Sequence, residues 1–233
     1  MRTIVLVHGA WHGAWCWAKQ QAELGRRGLT SLAVDLPGHG ASTLPRGDLY
    51  GDAAHVAQVL DRITGDVVLV GHSYGGVVIT EAAAAATNVA HLVYLTALCL
   101  DVGETARSSM ADIPTSDLGA VMRINREDRT STADLTLAVG ALYGDCDANE
   151  VAAALPRLTP QPLATMTQPI RTASWRTIPS TYIACTEDRA LPIELQRRLA
   201  ARCTTTVELP AHHSPFLSMP GAVADVLEPL ARA

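Results

Sequence analysis

Lysine occurs once in this chain of 233 residues, at Lys19, and no cluster of basic residues interrupts a formal net charge of −5. A surface without a cationic patch lacks the electrostatic footprint of nucleic-acid binding, so no nucleic-acid partner is expected. CxxC pairs and His/Cys ligand spacings are also missing, although Cys16, Cys99, Cys146, Cys185 and Cys203 are present. An odd, widely spaced set of this kind reads as small, mostly buried thiols in a reducing compartment. Long apolar runs are absent near the start: Ile4 to Val7 leads directly into His8-Gly9. That run is too short for a signal-peptide core or a membrane span, so a cytoplasmic protein with no membrane partner is expected. There is no GxGxxG after the first strand pattern, no phosphate loop and no HExxH, and hence no cofactor or metal is expected.

What is present is a globular composition, 48% hydrophobic and 18% charged, in a length that suits one domain with a proper core. Short β-rich apolar runs alternate with helical patterns, the signature of a parallel sheet covered by helices on both faces. Strands are expected at Thr3 to Val7, Thr30 to Asp35, Asp66 to Gly71, His91 to Leu98, Ser180 to Thr186 and Thr204 to Leu209. Helices are expected near Trp15 to Arg27, Asp52 to Ile63, Ser73 to Ala86, Ile193 to Arg202 and Gly221 to Ala231, with Ala82 to Ala86 giving close helix-to-sheet packing. The alternation breaks over Cys99 to Pro179, far beyond an ordinary loop. The expected organisation is therefore a core formed by 1–98 and 180–233 and a cap insertion at 99–179. Helix-compatible stretches in the cap lie at Ser116 to Arg126, Ser131 to Tyr143 and Asn149 to Leu155, before Pro156, Pro160, Pro162 and Pro169. Met110, Met122 and Met166 also fall there; methionines at such positions serve as core or line an adaptable cavity.

Gly71-His72-Ser73-Tyr74-Gly75 stands between an apolar strand pattern and a helical one, which is the arrangement of a nucleophile elbow with Ser73 at its tip. A serine hydroxyl needs a base, and histidine has the pKa for that work, with an acid to orient it. Such groups gather on loops at the carboxyl ends of strands. Asp188 follows the fifth strand and His213 the sixth, giving the order Ser73, Asp188, His213. His212 competes as base, and Asp101 and Glu187 compete as acid; strand position favours Asp188. Acyl transfer also needs oxyanion donors. The backbone amide of Tyr74 supplies one, and the amide of Ala10, beside Gly9 in the loop after the first strand, is the choice for the second. Asp35-Leu36-Pro37-Gly38-His39-Gly40-Ala41-Ser42 reads as a structural βα loop.

With HGAWHGAW, DLPGHGAS, GHSYGG, CTEDRALP and HHSPFLSMP in that order, the chain resembles an α/β-hydrolase. Within that superfamily it is similar to the small-esterase branch of plant salicylate-type methyl esterases, hydroxynitrile lyases and related bacterial carboxylesterases. The resemblance weakens only in the cap. It implies an α/β-hydrolase fold with a six-stranded parallel sheet and a helical cap inserted after the fourth strand. It further implies Ser73 as nucleophile, Asp188 as acid, His213 rather than His212 as base because of the His-Ser-Pro turn, and Ala10 and Tyr74 as oxyanion amides. Lyase members carry threonine where this chain has Gly9 and lysine where it has Ser214, so the resemblance points to an esterase.

The expected activity is hydrolysis of a small apolar or aromatic carboxylic ester by a serine carboxylesterase through an acyl-enzyme. A hydrolase-fold small-molecule receptor and a biosynthetic acyl-transfer or cyclisation enzyme are the alternatives. Trp11, His12, Phe216 and Leu217, near the chemistry along the chain, and Met110, Met122 and Tyr143 in the cap are the candidate substrate-binding residues. The expected partner is a small-molecule ester; oligomeric state stays open, with a homodimer among the options.

Overall fold

The computed structural model describes residues 1–111 and 116–233. Its strands are β1 (Thr3–Val7), β2 (Ser31–Val34), β3 (Val67–Ser73), β4 (Val89–Ala97), β5 (Met122–Asn125), β6 (Thr130–Ala133), β7 (Gln161–Pro162), β8 (Ser180–Cys185) and β9 (Thr205–Leu209). A six-stranded sheet runs in the order β2-β1-β3-β4-β8-β9, and every pairing in it is parallel. All six core strands expected from the sequence are present within two residues at each end.

The central strands are continuous apolar runs because both of their faces are buried. Along β3, Val67 and Leu69 pack on one side with Leu49, Val56 and Leu60 of helix Leu49–Leu60 and with Leu195 and Leu199 of helix Ile193–Ala200. Val68 and Val70 pack on the other side with Trp17, Leu24, Val223 and Leu227 of helices Ala18–Arg26 and Pro220–Arg232 and the 3₁₀ turn before the first. Strand order reverses between β1 and β3. A crevice at the carboxyl ends of the strands is expected at that switch point, and both glycine-containing motif loops open there.

Local chemistry moves several boundaries. Helix Leu49–Leu60 starts before the expected Asp52, because Asp48 caps it by accepting from the Gly51 amide. The polyalanine stretch does not stay helical: helix Tyr74–Ala82 stops, and Ala84 and Ala85 lie exposed in a turn. Alanine propensity alone does not sustain a helix that has run past its packing surface.

The segment between β4 and β8 is not wholly helical, contrary to expectation. Ser116–Arg126 gives one helical turn, Leu118–Val121, and then β5; Ser131–Tyr143 divides into the end of β6 and helix Leu135–Leu142. The division falls at Asp134, whose side chain accepts from the Thr136 and Leu137 amides. An N-cap residue has extended backbone, so the residues before it leave the helix. Strands β5, β6 and β7 form a small antiparallel sheet. The expected third helix is present as Ala148–Ala154, and Glu150 on it pairs with Lys19 of helix Ala18–Arg26.

All five cysteines are free thiols, with Cys16, Cys99 and Cys185 buried. Among the described residues no helix is long and apolar enough to cross a membrane.

Candidate active site

Ser73 ends β3 with φ 52° and ψ −119°, a conformation costly for an L-residue, and caps helix Tyr74–Ala82. The turn is tight enough that backbone meets backbone. A Cβ on Gly71 would lie 2.5 Å from the Gly75 carbonyl oxygen, and one on Gly75 would lie 2.6 Å from that of Val7. Only glycine fits at these two points. On the far side, the Leu98 amide donates to the Ser73 carbonyl at 3.1 Å, tying the elbow to the end of β4.

Asp188 and His213, on the loops after β8 and β9, are both buried and meet: His213 Nδ1 donates to Asp188 Oδ2 at 2.7 Å. The Asp188 carboxyl is held from several directions. Its Oδ1 accepts from the Ala190 and Leu191 amides at 2.7 and 2.9 Å, and its Oδ2 accepts from Gln196 Nε2 at 3.3 Å and from the Thr96 hydroxyl. Thr96 does this from a left-handed conformation, φ 38°. His213 and Ser73 line the same cavity. The competing residues are engaged elsewhere. Asp101 accepts from Arg176 Nε at 3.1 Å, and the amide of His212 donates to Asp145 Oδ2 at 3.0 Å while its ring lies 3.6 Å from Glu187.

The loop after β1 carries Ala10 to the same cavity. His8 Nδ1 donates to the Gly9 carbonyl at 2.8 Å, and its Nε2 accepts from the Leu36 amide at 3.1 Å. His12 Nδ1 donates to the Ala10 carbonyl at 2.8 Å, so its Nε2 is the acceptor for the Tyr143 hydroxyl at 2.7 Å. His72 Nε2 donates to the His213 carbonyl at 2.8 Å, holding the backbone of the His213 loop from β3. Burial pushes His12 down to about 4 and His8 to about 3, so these rings are neutral braces at neutral pH. His39 is also buried and pushed down to about 4; with Nδ1 bonded to the Thr159 hydroxyl at 2.8 Å it belongs to the structural loop expected of it.

Of the expected substrate-binding residues, Trp11, His12, Met110 and Met122 line the cavity. The structure places the other three elsewhere. Tyr143 stands behind the wall as the partner of His12. Phe216 turns inward against Trp17 and His72, with ring centroids 4.7 and 4.8 Å away, and half-buried Leu217 packs between that core and the cluster around Trp11 and Tyr143. Nearness along the chain to His213 did not give direction, because the apolar side chains of helix Pro215–Ser218 pack against neighbouring hydrophobic clusters and not into the cavity. The cavity also has walls that no sequence motif marks, Leu98, Ala106, Leu118, Leu142 and Leu191, and a polar edge made of Ser131, Gln161 and Thr165. Met166, expected as core or cavity wall, lines the cavity; the polar three sit in no motif, and the pairing of β6 with β7 sets Ser131 beside Gln161, to which Thr165 is bonded. Among the described residues no cluster of His, Cys, Asp and Glu could hold a metal ion.

A model of the family described as "Alpha/beta hydrolase family" matches residues 4–226. The chain is 28% identical over 239 residues to "Alpha/beta hydrolase nvfD" of Aspergillus novofumigatus, covering 96% of this chain and 94% of that protein. It is 40% identical over 119 residues to a carbendazim hydrolyzing esterase of Nocardioides sp., an alignment that spans 49% of this chain and about half, 48%, of the relative. The solved structure of a pyrethroid hydrolase from Sphingobium faniae JZ-2 superposes with a TM-score of 0.88 at 28% identity, covering 100% of this chain and 98% of that one.

Proposed function

Because this chain belongs to the alpha/beta hydrolase family, we propose that it hydrolyses carboxylic esters with Ser73 as nucleophile, His213 as base and Asp188 as the acid that orients the base. The observation that carries this reading is the 2.7 Å bond from His213 to Asp188 at the wall of the cavity that Ser73 enters. With Nδ1–H committed to Asp188, His213 presents an unprotonated Nε2 able to take the Ser73 proton. The serine oxygen then bonds to the ester carbon, and the carbonyl oxygen becomes an anion facing the amides of Ala10 and Tyr74. Collapse of this intermediate breaks the bond to the alcohol, which leaves with the proton from His213. Water, deprotonated by the same histidine, attacks the acyl-enzyme, and the acid departs as the proton returns to Ser73.

Residues 99–179 act as a cap over this site. The walls from Leu98, Ala106, Met110, Met122, Met166 and Leu191 favour a small apolar or aromatic ester. The relatives named as a carbendazim hydrolyzing esterase and a pyrethroid hydrolase support a hydrolytic reading. A p-nitrophenyl ester panel varying acyl length tests the reading: turnover in the wild type and its abolition in Ser73→Ala are expected, and full activity in Ser73→Ala would rule the assignment out.

A further inference from the structure

The turn that presents the Ala10 amide is strained at its next residue. It closes with the His12 amide donating to the Gly9 carbonyl at 3.4 Å, and Trp11, its third residue, has φ 64°. Turns with a left-handed third residue ordinarily place glycine or asparagine there. Here the position holds the largest side chain, so surrounding structure has to impose the conformation.

That structure is the small sheet of the inserted segment and the residues beside it. The Trp11 amide donates to Gln161 Oε1 at 3.3 Å, and its indole Nε1 donates to Ser131, with the carbonyl oxygen and Oγ both at 3.2 Å. Its carbonyl accepts from the Thr159 amide at 2.8 Å and from the Thr159 hydroxyl at 3.3 Å. Each polar group of Trp11 is thus bonded within 99–179. The two side-chain anchors are register partners, Ser131 on β6 opposite Gln161 on β7. Gln161 is itself fixed, because its Nε2 donates to Thr165 Oγ1 at 3.1 Å and that hydroxyl donates to the Pro162 carbonyl at 2.7 Å. On the opposite edge of the Ala10–Trp11 peptide, His12 Nδ1 holds the Ala10 carbonyl. The peptide is gripped from both sides.

We propose that β6 and β7 form a clamp on the oxyanion loop: Gln161 and Ser131 are positioning residues that hold Trp11 in its left-handed conformation and so fix where the Ala10 amide points. This rests on the reading of Ala10 as an oxyanion donor. Without the clamp Trp11 relaxes toward negative φ, the turn closed by the His12 amide on the Gly9 carbonyl opens, and the Ala10 amide that this turn carries loses its aim. Misplacing such a group by a fraction of an ångström is enough to slow the chemical step.

The test is steady-state kinetics on a p-nitrophenyl ester, together with binding of a trifluoromethyl ketone, which adds Ser73 to form a tetrahedral oxyanion, and of the product acid, which does not. Gln161→Leu is expected to lower kcat at least about ten-fold with KM within about three-fold. Ketone affinity should fall by the same factor as kcat/KM, while affinity for the acid is kept. Glycine adopts φ 64° without strain, so in a Trp11→Gly background the further effect of Gln161→Leu should shrink to within about three-fold. Should Gln161→Leu fail to fold, Trp11→Phe, which removes the indole donor and with it both bonds to Ser131, carries the same expectation. Unchanged kcat in variants with wild-type melting, equal weakening of ketone and acid, or full additivity in the Trp11→Gly background would overturn the clamp. Ser73→Ala separates the two failures: if it stays active the esterase reading falls, and if it is dead while the clamp variants keep kcat, only the clamp falls.

Discussion

The hydroxyl of Tyr74, the residue after the elbow serine, donates to Asp52 Oδ2 at 2.7 Å inside the protein. Tyr74 is the first residue of its helix, so the bond anchors the elbow to helix Leu49–Leu60. Burial pushes the Asp52 carboxyl up from its ordinary 3.8 to about 7; Tyr74 opposes the rise and the charge of Asp48 adds to it.

Asp52 therefore makes stability fall as pH rises. The folded protein holds this proton more tightly than the unfolded chain, so ionisation favours unfolding, and the contribution present below pH 3.8 is lost as pH rises to about 7. Asp52→Asn keeps an acceptor for Tyr74 and removes the titration. Its stability relative to wild type should increase from pH 4 to pH 7.5 in urea denaturation; a difference independent of pH would contradict the account. Tyr74→Phe should cost about 1–3 kcal/mol, since it leaves the buried carboxyl without its donor.

The buried histidines act in the opposite direction. Burial lowers His8 to about 3 and His12 and His39 to about 4, and holds His72 well below 6.5. Protonation favours the unfolded chain, so the stability they allow is complete above pH 6.5 and is lost as pH falls toward 4. Four groups oppose one, and the melting temperature should drop between pH 7 and pH 5. The drop should be larger in the Asp52→Asn background, where the countering carboxyl is gone. A melting temperature that rises over this interval would show that these rings are not held neutral.

Thr96 is β-branched and sits at φ 38°, yet it delivers its hydroxyl to Asp188. Thr96→Val keeps the shape and removes a hydrogen bond to a carboxylate, a loss of about 1.5–3 kcal/mol. Lower stability and lower kcat are expected, with recovery in Thr96→Ser. Equal activity of the valine and serine variants would mean that the hydroxyl does not orient the acid.

Gly9 has no room for a side chain. A Cβ there would stand 2.9 Å from both His72 Nδ1 and Ser73 Cβ. Gly9→Ala should cost about 1–3 kcal/mol through overpacking and lower kcat by displacing the elbow. Gly9→Thr, the residue of the lyase members, should be worse and should gain no cyanohydrin cleavage, which assay with mandelonitrile would reveal.

The core was legible because parallel strands buried on both faces announce themselves as unbroken apolar runs; Val67 to Val70 could be little else. Ser73 ends a parallel strand and Asp188 and His213 each follow one, and chain order alone therefore brings them to one end of the sheet. The inserted segment was harder to read. Its strands are two to four residues long, shorter than the period needed to tell a strand from a helix, and only the cap at Asp134 marks the change. Gln161 and Ser131 carry no local signal, because their task exists only once β6 lies beside β7 and both lie against Trp11. Phe216 and Leu217 show the converse: adjacency along the chain gives proximity, and the direction of a side chain is set by packing.

Lys19, the sole lysine of the chain, is half-exposed and paired with Glu150 across the junction between the first long helix and the inserted segment. Side-chain amine chemistry consequently has a single address on this enzyme. Acylation there removes the charge that pairs with Glu150, so a dye or tether placed on Lys19 also breaks one of the contacts between the first long helix and the inserted segment.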